Sequence, residues 1–302
     1  MPNRKENETI FEQYLQYSGH TQYVPAPMTS GTRMLADLPY LRADGSVLLA
    51  DLHLPQQADG PLPVIVDVHG GGWIYGSKEI NRAYASALAS RGFGVFTVNY
   101  APAEKGDLPN QVCDVIAAIH SIRNHAAEFG LDRDKLFLCG DSAGAHLALL
   151  AYIVGHSETL RLIYGANALD AEVKAFGLVS PVTELHFFAD SILPVQRKLR
   201  ARLFGGDYAN SPLRYCSSVS QILKTGTNLP PVYLVSSEDD FFRSQSVELH
   251  HLLNRRGVEN RFRYYPAIQN KKLPHCFPVH HPDYAESQFV TQEMSTFFKD
   301  HM

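Results

Sequence analysis

Apolar positions in this chain follow two rhythms, and the rhythms alternate. Short runs that are apolar throughout recur at VIVDVH from Val64, GVFTVNYA from Gly94, KLFLCG from Lys135, AFGLVSP from Ala175 and PVYLVSS from Pro231. A strand with one face in water would alternate, so these runs predict strands buried on both faces of a mostly parallel sheet. Between them the apolar residues fall at helical spacing. After Pro109, the residues Val112, Val115, Ile116, Ile119, Ile122, Ala126 and Phe129 mark one helix face, and Gly130 stands where a glycine would end the helix. A second helix is predicted from about Ser244, with Val247, Leu249, Leu252 and Leu253 apolar and Gly257 closing it. A third carries Phe289, Val290, Met294, Phe297 and Phe298. This alternation predicts an α/β class, a central mostly parallel sheet flanked by helices. Two earlier runs, MLADLPYL from Met34 and VLLADLHL from Val47, flank Arg42-Ala43-Asp44-Gly45-Ser46 and read as an antiparallel hairpin leading into that sheet.

Two stretches break the alternation. The first 30 or so residues carry a short helical pattern (Ile10, Phe11, Tyr14, Leu15), and residues 183–226 insert between two predicted strands. The insertion contains RKLRARLF from Arg197, which reads as the solvated face of a helix rather than a polyanion site. Composition agrees with a single folded domain: 302 residues, 45% hydrophobic and 19% charged, excluding disorder, collagen and coiled coil. A net charge of −4 gives no reason to expect nucleic acid or an anionic membrane as partner. The N-terminal stretch has no apolar core of a secretory signal, and no run approaches the roughly 18 residues of a membrane span. Cys113, Cys139, Cys216 and Cys276 show no CxxC spacing and read as reduced thiols of a cytoplasmic protein.

The segment KLFLCGDSAGAHLALLAY carries the chemistry. Gly140-Asp141-Ser142-Ala143-Gly144 matches G-x-S-x-G, with a strand before it and a helix after. A nucleophile on so sharp a turn needs glycines two residues either side, because side chains there would collide. At the helix N-terminus the dipole and the N–H of Ala143 favour developing negative charge. The strand from Val64 runs into His69-Gly70-Gly71-Gly72-Trp73, with Tyr75 and Gly76 following. Three glycines free that backbone to turn its N–H groups inward, so Gly71 and Gly72 join Ala143 as candidates for an oxyanion hole. Candidate acids are Glu238, Asp239 and Asp240, at the end of the strand from Pro231. Candidate bases are His275, His280 and His281. These histidines with Asp283 lack helical metal-ligand spacing, so neither metal nor cofactor is expected. His146, in the helix after the serine, reads as a packing or hydrogen-bonding residue.

HGGGW followed downstream by GDSAG resembles the hormone-sensitive-lipase-like branch of the α/β-hydrolase esterases over residues 45 to 300. NYAPAEKGDLPNQVCDVIAAI, AAEFGLDRDKLFLCGDSAGAHLA and the terminal HCF support the likeness. The resemblance implies the α/β-hydrolase fold, with a small helical cap built from about 1–30 and 183–226. It implies a triad of Ser142, Asp240 and His275. His275 matches the family's H-x-F, and Asp240 falls on its aspartate when Glu238-Asp239-Asp240-Phe241-Phe242-Arg243 is aligned on E-x-D-P-L-R. Ala145 in place of a further glycine, Phe241-Phe242 in place of Pro-Leu and a longer loop before His275 are departures that bear on substrate rather than mechanism. The activity implied is carboxylesterase action on short-chain or aryl esters. An arylformamidase-type amide hydrolase is the near alternative, and a ligand receptor on the same fold the remote one. The expected partner is a small-molecule ester, and a homo-oligomer is compatible with the chain.

Overall fold

A computed structural model describes residues 26–103, 105–185, 194–205, 208 and 210–302. Eight strands form one sheet: β1 (Thr32–Leu41), β2 (Val47–Pro55), β3 (Leu62–Val68), β4 (Gly94–Val98), β5 (Leu131–Asp141), β6 (Val173–Val179), β7 (Val232–Ser237) and β8 (Asn260–Tyr265). Their spatial order is β1-β2-β4-β3-β5-β6-β7-β8. The β1–β2 hairpin and the β2–β4 pair are antiparallel, and every other pair is parallel. The five apolar runs and the hairpin all lie in this sheet, so the α/β-hydrolase expectation holds. From β3 the chain steps outward to β4, then returns to β5 on the other side and proceeds through β6, β7 and β8. The direction of winding therefore reverses between β3 and β5, and the crevice at their carboxyl ends is where such a sheet places a ligand site.

Each central strand is buried on both faces because helices cover both. Val64, Val66, Val68, Leu136, Leu138, Phe176 and Leu234 point into a core shared with α2 (Leu108–Asn124), α3 (Ala143–Gly155) and α8 (Arg243–Arg255). The alternate residues Ile65, Val95, Phe137, Cys139, Ala175 and Tyr233 meet α1 (Arg82–Ala89), the short α9 (Phe277–His280) and α10 (Ala285–Lys299) on the other side. Period-two alternation along β3 and β5 thus sorts an unbroken apolar run between two cores.

The structure corrects several boundaries. The helix read as continuous to Gly130 ends at Asn124, and a 3₁₀ turn over Ala126–Phe129 follows. Gly130 still takes the left-handed conformation that stops the segment, at φ 69°. Strand β8 has no counterpart in the sequence reading, because NRFRYY is a half-buried edge strand with Arg261 and Arg263 in it. Helix α1 was unmarked as well, since RAYASALA buries mostly small residues, and so was the short α4 (Glu158–Tyr164). The N-terminal helix expected around Ile10–Leu15 lies outside the described residues. Between β6 and β7 come α5 (Pro194–Phe204), α6 (Leu213–Cys216) and α7 (Val219–Lys224). Leu199, Leu203 and Phe204 of α5 are buried, Arg197 and Ala201 are exposed, and Arg200 and Arg202 are half-buried. Cys113, Cys139, Cys216 and Cys276 are all free. Among the described residues no helix is long and apolar enough to cross a membrane.

Contact between β6 and α10 is close enough to leave no space at Gly177, in the centre of its strand. A Cβ there would sit 2.6 Å from Met294 Sδ, 2.8 Å from Cys139 Sγ and 2.9 Å from Phe298 Cζ. Gly177→Ala should therefore overpack the second core and lower stability by about 1–3 kcal/mol. A urea midpoint unchanged from wild type would show that α10 shifts away freely.

Candidate active site

Ser142 stands between β5 and α3 with φ 51° and ψ −118°, a backbone conformation that a residue with a side chain adopts only when its surroundings enforce it. Those surroundings are visible in the flanking glycines. A Cβ on Gly140 would lie 2.6 Å from the Gly144 carbonyl carbon, and one on Gly144 only 1.9 Å from the Val68 carbonyl oxygen. The Ser142 N–H donates to Val179 O at 2.9 Å, which ties the turn to β6. The result lifts the hydroxyl off the carboxyl end of β5 at the start of α3.

His275 meets that hydroxyl from the far side of the sheet. The Ser142 hydroxyl donates to His275 Nε2 at 2.9 Å, and His275 Nδ1–H donates to Asp240 Oδ1 at 2.7 Å. All three side chains are buried. Burial by itself would raise the Asp240 carboxyl. The charge and hydrogen bond of His275, with the Phe242 N–H and the Ser236 hydroxyl, outweigh it and hold the group below the usual carboxylate range. The rings of Phe241 and Phe242 flank the imidazole at centroid distances of 4.4 and 5.5 Å. Asp239 addresses the same loop differently, accepting the Leu273 N–H at 3.0 Å. Strand β7 ends at Ser237, so both aspartates sit in a turn where strand alternation no longer sorts them. Glu238 turns to the Tyr264 hydroxyl and Arg243 instead.

The glycine loop follows β3, which pairs with β5 through Val68 opposite Gly140. Gly71 and Gly72 have φ 121° and 56°, and Gly71 O accepts the N–H groups of Ile74 and Tyr75. Among the described residues none accepts from the N–H of Gly71, Gly72 or Ala143. The Gly70 N–H donates to Asp141 Oδ1 at 2.9 Å, locking loop to elbow. The arrangement places donors and a hydroxyl paired with a base at one crevice, which is the equipment of acyl transfer.

Other expected residues fall elsewhere. His281 stacks on Tyr284 at 4.6 Å, and burial pushes His280 down to about 3. His275, His280, His281 and Asp283 do not gather as ligands. Asp141, Cys276 and His280 do offer atoms within 4.8 Å of one another, but the Asp141 carboxylate already accepts from the Gly70 N–H and from Asn81 Nδ2. His146 is buried, contacting Trp73 and Ser217, away from the proton path. Asn81 and the two phenylalanines escaped sequence reasoning. Only the Phe-Phe departure after Asp240 marked any of them beforehand.

The BD-FAE family model matches residues 50–253, more than half of the chain. The structure superposes on esterase B from Lactobacillus rhamnosis with a TM-score of 0.83 at 27% identity, covering 98% of this chain and 95% of that one. Kynurenine formamidase from Danio rerio is 28% identical over 77% of this chain and 73% of its own. A probable isoprenylcysteine alpha-carbonyl methylesterase from Arabidopsis thaliana is 39% identical over 32% of this chain, and the match spans only 21% of that protein.

Beneath the elbow a polar cluster holds loop and turn together. Asn81 Nδ2 donates to Asp67 Oδ2 at 2.8 Å and to Asp141 Oδ1 at 2.9 Å. Burial, reinforced by the charge of Asp141, pushes the Asp67 carboxyl up to about 7. The unfolded chain ionises this group in the ordinary range, so between there and about 7 the folded state binds the extra proton. Stability contributed by Asp67 therefore falls as pH rises through that window. Asp67→Asn should be more stable than wild type at pH 8, by on the order of a few kcal/mol, with the advantage gone near pH 4. A difference in urea midpoints that is the same at both pH values would rule out the neutral carboxyl.

Proposed function

This chain belongs to the BD-FAE family, within the α/β-hydrolase fold it shares with hormone-sensitive-lipase-like esterases, and on that footing we propose that it is a serine hydrolase cleaving carboxylic esters of short acyl or aryl type. The observation that carries the reading is the buried relay from Ser142 through His275 to Asp240, at 2.9 and 2.7 Å, set at the reversal point of the sheet.

His275 Nε2 takes the proton of Ser142 as Oγ attacks the ester carbonyl carbon. Asp240 accepts Nδ1–H throughout, fixing the tautomer and stabilising the imidazolium. The oxyanion is received by the N–H groups of Gly71, Gly72 and Ala143. Collapse of the tetrahedral intermediate expels the alcohol, protonated by His275, and leaves Ser142 acylated. Water, deprotonated by His275, then releases the acid. Residues 183–226 form part of the proposed cap over this crevice, and most of the N-terminal part expected to join them lies outside the described residues. The anchors of 183–226 support that role: Val219 N–H donates to Thr183 O, and Gln245 Oε1 accepts from the N–H groups of Thr183 and Glu184.

One alternative has an observation behind it, the alignment with kynurenine formamidase over most of both chains. The same relay would cleave a formamide, with His275 protonating the leaving nitrogen. A side-by-side panel of p-nitrophenyl and alkyl esters with aryl formamides separates the two by kcat/KM. We expect esters to be turned over faster, and no turnover of either class by folded protein would sink the hydrolase reading.

Two variants test the roles. Ser142→Ala should lower kcat by about 10⁴–10⁶ and abolish fluorophosphonate labelling without loss of fold. Labelling that persists would locate the nucleophile elsewhere. Asp240→Asn should lose on the order of 10⁴ in kcat through the wrong tautomer, whereas Asp239→Asn, which can still accept from Leu273 N–H, should keep most activity. The reverse ranking would reassign the acid.

A further inference from the structure

His146 is buried in the first turns of α3, and both of its ring nitrogens are engaged. The Trp73 indole N–H donates to Nδ1 at 3.3 Å, and Nε2 faces the Ser217 carbonyl oxygen at 2.8 Å. A carbonyl only accepts and an indole N–H only donates, so the ring carries its proton on Nε2 and keeps a lone pair on Nδ1. Trp73 ends the glycine loop, and Ser217 lies between α6 and α7, in the inserted segment. Building on the hydrolase reading above, we propose that His146 is a positioning residue that couples the inserted segment to the oxyanion side of the site.

Each end of the connection is set firmly. Trp73 has φ 65°, and its carbonyl accepts the Ala103 N–H and Gln111 Nε2–H, both at 2.8 Å. Its indole lies edge-on to the His146 ring at a 5.4 Å centroid distance. The loop backbone next to Gly72 is thus gripped on one side by α2 and on the other by α3. At the far end, Tyr164 of α4 donates its hydroxyl to Cys216 O at 2.8 Å, one residue before the carbonyl His146 holds. Two successive carbonyls of the insertion are therefore anchored to core helices.

The neutral ring is essential to this arrangement, since an imidazolium would present a second N–H to the indole. Burial pushes His146 down to about 4, against the modest opposing effects of the Ser217 carbonyl and the Glu184 carboxylate. The imidazole stays neutral across the range where His275 must work as a base. A hydrophobic residue of equal bulk would fill the space but leave the indole N–H and the Ser217 carbonyl without these partners.

The two arms can be cut separately, and Trp73 is the single tryptophan of the chain, so its emission reports on one of them. Trp73→Phe removes the indole donor, and His146→Asn keeps an acceptor at the Nδ1 position but cannot reach Ser217. His146→Leu removes both. Steady-state ester hydrolysis should show kcat lowered about tenfold with KM within about twofold for Trp73→Phe. His146→Asn should show the opposite split, KM raised several-fold with kcat near wild type. His146→Leu should combine both losses and shift Trp73 emission, which His146→Asn leaves in place. Trp73→Phe added to His146→Leu should cost nothing further in kcat. A kcat and KM that fall together in all three variants would mean packing alone and overturn the proposal, as would unchanged kinetics or unchanged emission in His146→Leu. If His146→Asn does not fold, the Trp73→Phe and His146→Leu pair with their double variant decides it. Emission needs no substrate, so a wild type without turnover removes the hydrolase reading while the contact itself is still judged.

Discussion

The whole site depends on one close approach, that of Gly144 to the carbonyl oxygen of Val68. A Cβ on Gly144 would fall only 1.9 Å from that oxygen, so the first turn of α3 lies directly on the end of β3. That contact forces the chain through φ 51° at Ser142. It also brings the glycine loop, which leaves β3 at that point, alongside the Ser142 hydroxyl. The Ser142 hydroxyl and the glycine-loop N–H groups share a crevice because two strands adjacent in the sheet end beside each other and one helix starts without a side chain in the way. The Gly70 N–H to Asp141 bond then fixes the two segments laterally.

Such a turn is unfavourable in isolation, and α3 supplies the restraint. Of its residues from Ala143 to Gly155, all but Tyr152 are buried. A helix apolar all round has no solvent face to roll toward, so the elbow cannot relax by rotating it. Beneath it Asn81 Nδ2 bridges Asp67 and Asp141, while Asp67 Oδ1 and Asn81 Oδ1 are buried without a hydrogen-bond partner among the described residues. Burial and the charge of Asp141 push the Asp67 carboxyl up to about 7, which disfavours a second negative charge beside Asp141. Among the described residues, Ser142, Ser180 and Cys276 beside the hydroxyl and the imidazole take positive φ, as do Trp73 in the glycine loop and, outside the site, Asp37 and Asn270.

How much was legible beforehand follows from where the signals come from. Buried strands are written in contiguous Val, Ile and Phe, and the elbow is written in its glycines, so β3 to β7, Ser142 and the HGGGW loop could be read directly. Resemblance added His275 and Asp240, which residue pattern alone left among several neighbours. Missed elements share a physical trait. Strand β8 is an edge where Arg261 and Arg263 are tolerated because only one neighbour and part of one face are covered. Helix α1 buries alanines and a serine, too small to register as an apolar stripe. The break at His125 reflects a change from α to 3₁₀ hydrogen bonding that leaves apolar spacing almost unaltered. Asn81 had no signature whatever, since its importance lies in two carboxylates that only folding brings to it.

Those carboxylates point to a general feature of the site: nearly all of its contacts join residues remote in the chain. Ser142 and His275 are separated by 133 positions, Gly70 and Asp141 by 71, and His146 and Ser217 by 71. None of these pairs can form from local structure, so the site exists only when β3, β5 and β7 are all in register. Asp239 and Asp240 show how fine that register is. One residue apart in the turn after β7, they bind Leu273 N–H and His275 Nδ1–H, two residues apart on the facing loop. Slipping the loop by a single residue would detach both at once. The Leu273 N–H bond to the Asp239 carboxylate therefore sets the reach of the Asp240 carboxylate, and the Ser237 hydroxyl, donating to Leu273 O, closes the same clamp. The imidazole is aimed by three contacts to the β7 turn, one to the ring and two to the backbone of Leu273. Aiming it from the end of β7, which also carries Asp240, ties the orientation of the His275 ring to the same strand as its carboxylate partner.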